Sequence, residues 1–78
     1  MDVNLENLKD LFKREGDPSL SIDELGDNEN FIDFGVDSLD RSSIFLAIED
    51  DFGVRIPDDK IEELQTLNDL VEYIKANQ

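Results

Sequence analysis

The sequence predicts an all-α fold: a small four-helix bundle of three amphipathic helices plus one short helix, with a long first loop. Three observations carry this. Apolar residues recur at helical spacing in three separate segments. Glycine or Asp-Pro punctuation closes the first two of them. No stretch alternates apolar and polar residues as a strand or hairpin would. At 78 residues the chain makes one small domain, residues 1–78.

The first helix is read from "VNLENLKDLFKREG". Leu5, Leu8, Leu11 and Phe12 share a face, and Asp2 or Asn4 caps the start. Lys13 and Arg14 fall in the last turn, where cations suit the helix dipole. Gly16 and Asp17-Pro18 stop it. Residues 17–36 follow as a long connection without sustained periodicity. Leu20, Ile22, Leu25, Phe31 and Phe34 punctuate it and should pin it to a core, and "SIDEL" is long enough for one short turn. A loop of this length in so small a domain is usually functional.

The second helix is expected from Asp37–Ser38 to about Phe52, with Ile44, Phe45, Ile48 and Phe52 facing the core and Gly53 ending it. "VRIPDDK" reads as an extended connector. Asp58 or Asp59 then caps a brief helix, "KIEELQ". The last helix opens at "TLND", where Thr66 and Asp69 form a pattern like a capping box, and Leu67, Leu70, Val71 and Ile74 make its apolar face.

Twenty-one acids against seven bases give a net charge of −14. Such a surface repels nucleic acid and anionic membranes and attracts basic proteins and divalent cations. The acids crowd one region: Asp17, Asp23, Glu24, Asp27, Glu29, Asp33 and Asp37 lie between residues 16 and 37 with no base among them. No apolar run is long enough for a membrane span, and the acidic start does not read as a signal peptide. Without cysteine there is no case for a secreted disulfide scaffold, and a cytoplasmic monomer is expected.

The chain has no histidine and no cysteine, so Ser–His, Cys–His and thiolate zinc sites are excluded. Paired carboxylates need a cleft that so thin a bundle hardly provides. No enzymatic activity and no dedicated metal site are expected. A calcium loop begun at Asp27 meets Phe31 and Ile32 at its fifth and sixth positions. One begun at Asp33 meets Ser38 at the sixth and Ile44 at the twelfth. Neither register supplies the required glycine and glutamate.

Ser38 remains. Asp37 is the better N-cap, because Asp40 then falls at the third helical position and the first turn is acidic. That leaves the Ser38 hydroxyl free at the first helical position. It is either an ordinary helix-start serine or one that carries a covalently attached phosphate group, which a helix N-terminus favours. Both readings stand on these residues alone.

The ordered run Gly35-Val36-Asp37-Ser38-Leu39, Glu49-Asp50-Asp51-Phe52, Ile56-Pro57 and Thr66 through Tyr73-Ile74 resembles the acyl carrier proteins. The likeness is dense over residues 31–74. It implies a freestanding carrier made as an inactive form. A phosphopantetheinyl transferase would then link phosphopantetheine from coenzyme A to Ser38, and the thiol of that arm would hold acyl groups as thioesters. On this resemblance Asp37, Asp40, Glu49, Asp50 and Asp51 form a docking face for basic patches on transferases and synthases. Such charges speed encounter and set orientation more than they tighten binding. Leu39, Leu46 and Ile61 would add apolar partner contacts or form core edges.

One departure stands out. After "DSLD" the family continues with an apolar and an acidic residue where Ser42 and Ser43 stand here, and Arg41 adds a positive charge. This implies a partner face that is more polar and less acidic beside the arm. It points to a dedicated lipid or polyketide-type pathway rather than bulk fatty-acid synthesis. The competing readings are a peptidyl or aminoacyl carrier of an assembly line and a cofactor-free acidic helical adaptor.

Overall fold

The computed structural model describes residues 3–78. Its elements are α1 (Leu5–Glu15), a 3-10 turn (Ile22–Glu24), α2 (Phe31–Phe34), α3 (Ser38–Phe52), α4 (Asp58–Ile61) and α5 (Leu67–Asn77). Among the described residues there is no strand, and no helix is long and apolar enough to cross a membrane. The three long helices are the ones expected.

α1 starts where its cap allows. Asn4 accepts from the Asn7 N–H at 2.8 Å. The alternative cap, Asp2, lies outside the described residues. Val3 and Leu8 flank that cap and are both buried, the two positions of a hydrophobic staple. The Gly16 N–H closes the helix on the Phe12 carbonyl at 2.8 Å. Asp17 then takes both the N–H and the hydroxyl of Ser19 at 2.8 Å, which turns the chain and holds the Asp17 carboxyl below the usual range.

The long connection is more structured than its sequence suggests. Ile22 and Leu25 are buried, and the expected turn forms between them as a 3-10 turn. A one-turn helix, α2, also forms where no helix was expected. Asn30 caps it by accepting from the N–H groups of Ile32 and Asp33 at 2.8 and 3.2 Å. Gly35, at φ 127°, ends it in a conformation that other residues rarely adopt. The cause is tertiary. Phe31 is fully buried edge-on against Phe12, with ring centroids 5.4 Å apart. The Phe31 N–H reaches the Gln65 carbonyl at 2.9 Å, and the Asn30 amide reaches the Gln65 side chain at 2.9 Å. Asn68 ties the start of α5 to Asp27 and Asn28 in the same way.

α4 corrects the expected "KIEELQ" helix. It begins at Asp58 after Pro57, which occupies the cap position without a side-chain cap bond, and it ends at Ile61. Neither Asp58 nor Asp59 is its N-cap. The Lys60 carbonyl accepts from both Glu63 and Leu64, so the chain turns there and drops the buried Leu64 into the core beyond the helix. α5 opens on the Asp69 N–H bonded to Thr66 at 3.1 Å. The Asp69 carboxylate reaches back to the Gln65 N–H at 3.3 Å rather than to Thr66 itself.

α1 packs against both α3 and α5. Leu8, Phe12, Phe31, Ile44, Ile48, Leu67, Leu70 and Ile74 are almost wholly buried, and no polar or charged residue is buried among the described ones. Apolar burial therefore holds the bundle together. The polar work lies at helix ends and on the surface.

Candidate functional site

Ser38 is the first residue of α3. Asp37 caps the helix, its carboxylate accepting from the Asp40 N–H at 2.9 Å, as expected. The Ser38 carbonyl accepts the Ser42 hydroxyl at 3.1 Å. The Ser38 residue is exposed, and its side-chain oxygen enters neither of these bonds. The capping duty falls on Asp37, so the serine hydroxyl is free for other chemistry. It sits at the positive end of a 15-residue helix, a place that favours a phosphate.

Helix geometry sorts the neighbouring residues by face, each step turning about 100°. Leu39, Leu46 and Asp50 share the outward line. Leu39 is 79% exposed and Leu46 64%, the only large apolar residues so exposed among those described. They are not core edges. Ile61 is half-buried and packs against the core edge. Between α3 and α4 lies an open groove of about 390 Å³, with Phe45, Leu46, Ile56 and Ile61 as its apolar lining and Glu49 and Arg55 on its rim. Ser42, one turn below Ser38, lines the same groove.

The three acids at the end of α3 divide between two depressions, Glu49 in one and Asp50 with Asp51 in the other. Glu49 faces the groove, and Asp50 is exposed on the outer line. Asp51 turns toward α1, where Arg14 donates to it at 2.7 Å. That bond, with a second from Arg14 to Glu15, holds the guanidinium firmly charged. It also sets a cation against the negative end of α3, where three consecutive acids are otherwise unfavourable.

Asp40 and Arg41 were expected among the partner contacts, and both prove half-buried. Arg41 lies on the core-facing line of α3, three, four and seven residues before Ile44, Phe45 and Ile48. One Asp40 carboxylate oxygen and the Arg41 Nε are covered from solvent and have no hydrogen-bond partner. The sequence reading missed this inward placement. Extending the Ile44–Phe45–Ile48 stripe back by one turn would have found it.

Two of the remaining cations tie the loop down. Lys13 donates to Asp23 at 2.6 Å, and Lys9 lies 3.9 Å from Asp27. Lys9 and Lys13 thus anchor the acidic connection to α1.

Fold and site together give a helical bundle that displays a capped-off serine at a helix start, in a chain without histidine or cysteine to make that serine react. Comparison with known proteins supplies the family. Residues 7–74 match the family described as the phosphopantetheine attachment site. The chain is 44% identical to an acyl carrier protein of Lactobacillus acidophilus over 57 residues, 72% of this chain and 71% of that one. It is 45% identical to one from Zymomonas mobilis over 53 residues, 67% of this chain and 68% of the relative. Against one from Treponema denticola the identity is 46% over 46 residues, 59% of each chain. The chain belongs to the acyl carrier protein family. Its prosthetic group is phosphopantetheine, and it is a carrier rather than a catalyst. The residues at the start of α3 fit that group, since a solvent-facing hydroxyl stands at the positive helix end with Asp37 already committed to the cap.

Proposed function

We infer that Ser38 is the attachment residue and that the chain shuttles acyl groups for a dedicated lipid or polyketide-type pathway. The free, exposed Ser38 hydroxyl beside a cap made by Asp37 carries the first part. In loading, the Ser38 Oγ forms a bond to phosphorus as the bond to the nucleotide half of coenzyme A breaks. The hydroxyl proton leaves to a base of the transferase. The bound arm supplies the thiol on which acyl groups ride.

The docking surface on this reading is the outer line of α3. Leu39 and Leu46 give an apolar contact, Asp50 and Glu49 steer basic partners, and Asp37 marks the end nearest the arm. Asp51 contributes less, because Arg14 already neutralises it. The uncharged Ser42 and Ser43 beside the arm support a dedicated partner enzyme over a general one.

Two measurements test this. The chain and its S38A variant are incubated with coenzyme A, magnesium and a promiscuous transferase. Intact mass should rise by one phosphopantetheine in the first and stay unchanged in the second; equal labelling of both refutes the site. A general fatty-acid ketosynthase should elongate the loaded chain poorly. Elongation at the rate of a housekeeping carrier refutes the dedicated pathway while leaving Ser38 in place.

A further inference from the structure

Arg41 poses a problem that the carrier role does not by itself resolve. In a chain of net charge −14, Arg41, Arg55 and Lys75 take part in no salt bridge among the described residues, whereas Lys9, Lys13, Arg14 and Lys60 do, and of those three Arg41 alone is half-buried. Asp37 is four residues before it, the favourable spacing for an ion pair on a helix, yet the two do not pair, and one Asp37 oxygen caps the Asp40 N–H instead. The Arg41 side chain is half-buried on the inner line of α3, and its Nε donor is covered without an acceptor. A buried donor of that kind is costly to leave unmade.

Arg41 is also three residues after Ser38. Side chains at that spacing sit one above the other on a helix, with Cβ atoms about 5–6 Å apart. A guanidinium is the cation best suited to a phosphate, offering a planar fork of donors that stay charged at any physiological pH. A phosphodiester on the Ser38 Oγ would bring one negative charge and several acceptor oxygens to within one side-chain length of it.

We propose that Arg41 is the positioning residue for the arm: its guanidinium pairs with the phosphodiester on Ser38 and fixes the root of the arm against the first turn of α3. The proposal rests on attachment at Ser38. It gives the unmatched arginine a partner that arrives only with the prosthetic group, and it anchors the first bond of an otherwise freely turning chain.

The test compares the unloaded and loaded protein by NMR, with loading checked by intact mass. In the wild type the Arg41 Nε–H resonance should shift on loading, and its exchange with solvent should slow severalfold. The phosphorus resonance of the arm should differ between wild type and R41M, which keeps the packing stem and removes the charge, while R41K should restore part of the difference. If Ser38 is loaded and the Arg41 Nε–H signal and the phosphorus resonance are both indifferent, the pairing is refuted. So too if R41M lowers the melting temperature of both forms equally and leaves the phosphorus signal unmoved, since Arg41 is then only a lid on the core. Absence of loading would instead refute attachment, a separate failure visible in the mass.

Discussion

The Arg14 guanidinium lies 2.7 Å from the Asp51 carboxylate, joining the last turn of α1 to the last turn of α3. One contact thus links two helix ends and removes one acid from the free surface. R14Q should lower the melting temperature slightly, because the pair is solvent-exposed. The loss should shrink as salt rises, since added ions screen the attraction of Arg14 for Asp51 and the repulsion between Asp50 and Asp51. Thermal unfolding at low and high salt checks this; a loss that is the same at both would show that packing, not charge, is what Arg14 supplies.

Asp37 caps α3 and, on the proposed docking, also steers the transferase, two roles that substitution can separate. D37A removes the cap on α3 and should cost about 1 kcal/mol in denaturant unfolding. D37N keeps a capping oxygen and should cost only a few tenths of that, yet it removes a charge next to Ser38. Transferase association should therefore slow for both variants, and by similar factors. If D37N loaded as fast as wild type, the Asp37 charge would have no part in docking.

Ile48 and Leu46 sit two residues apart on α3 and should behave oppositely. Ile48 is fully buried, and I48A should destabilise by about 2–5 kcal/mol. Leu46 is 64% exposed, and L46A should stay within about 0.5 kcal/mol of wild type. Its effect should appear instead as weaker binding to partner enzymes, measured by titration calorimetry. An L46A that unfolds readily but binds normally would move Leu46 into the core and off the docking face.

Lys13 and Asp23, 2.6 Å apart, staple the acidic connection to α1. The hydrogen bond from Lys13 pulls the Asp23 carboxyl below its usual range and holds the Lys13 amine above its own. A lowered carboxylate contributes stability that is complete above the ordinary value of about 3.9 and lost as pH falls through the lower folded value. The raised amine contributes below about 10.4 and loses its share as pH rises through the higher folded value. Carbon-13 titration of Asp23 should give a midpoint below the ordinary one, and K13M should return it upward. An unchanged midpoint in K13M would mean that the staple does not persist in solution.

Much of this architecture is legible in the residues themselves. The caps at Asn4, Asp37 and Thr66 act locally, through one side chain and an N–H a turn away, so short patterns reveal them. Gly53 is equally plain, since its φ of 70° suits few other residues. α2 was hidden because a single turn has no periodicity, and because Asn30 and Phe31 depend on Gln65, which lies over thirty residues away. The start of α4 was misread for a related reason: Pro57, not an aspartate, holds its cap position. At the site, Ser38 stands at the first helical position as read, while Leu39 and Leu46, left open between outer contact and core edge, prove exposed. Asp51 and Arg41 do not stand as read, because a charged residue reads as surface until the fold gives it a partner or an inward line.

The most direct test of the carrier assignment is top-down fragmentation of the loaded protein. Fragments that contain Ser38 should carry the phosphopantetheine mass, and those that end at Asp37 or begin at Leu39 should lack it. Finding the added mass on Ser42 or Ser43, or no added mass after treatment with a competent transferase, would contradict the account.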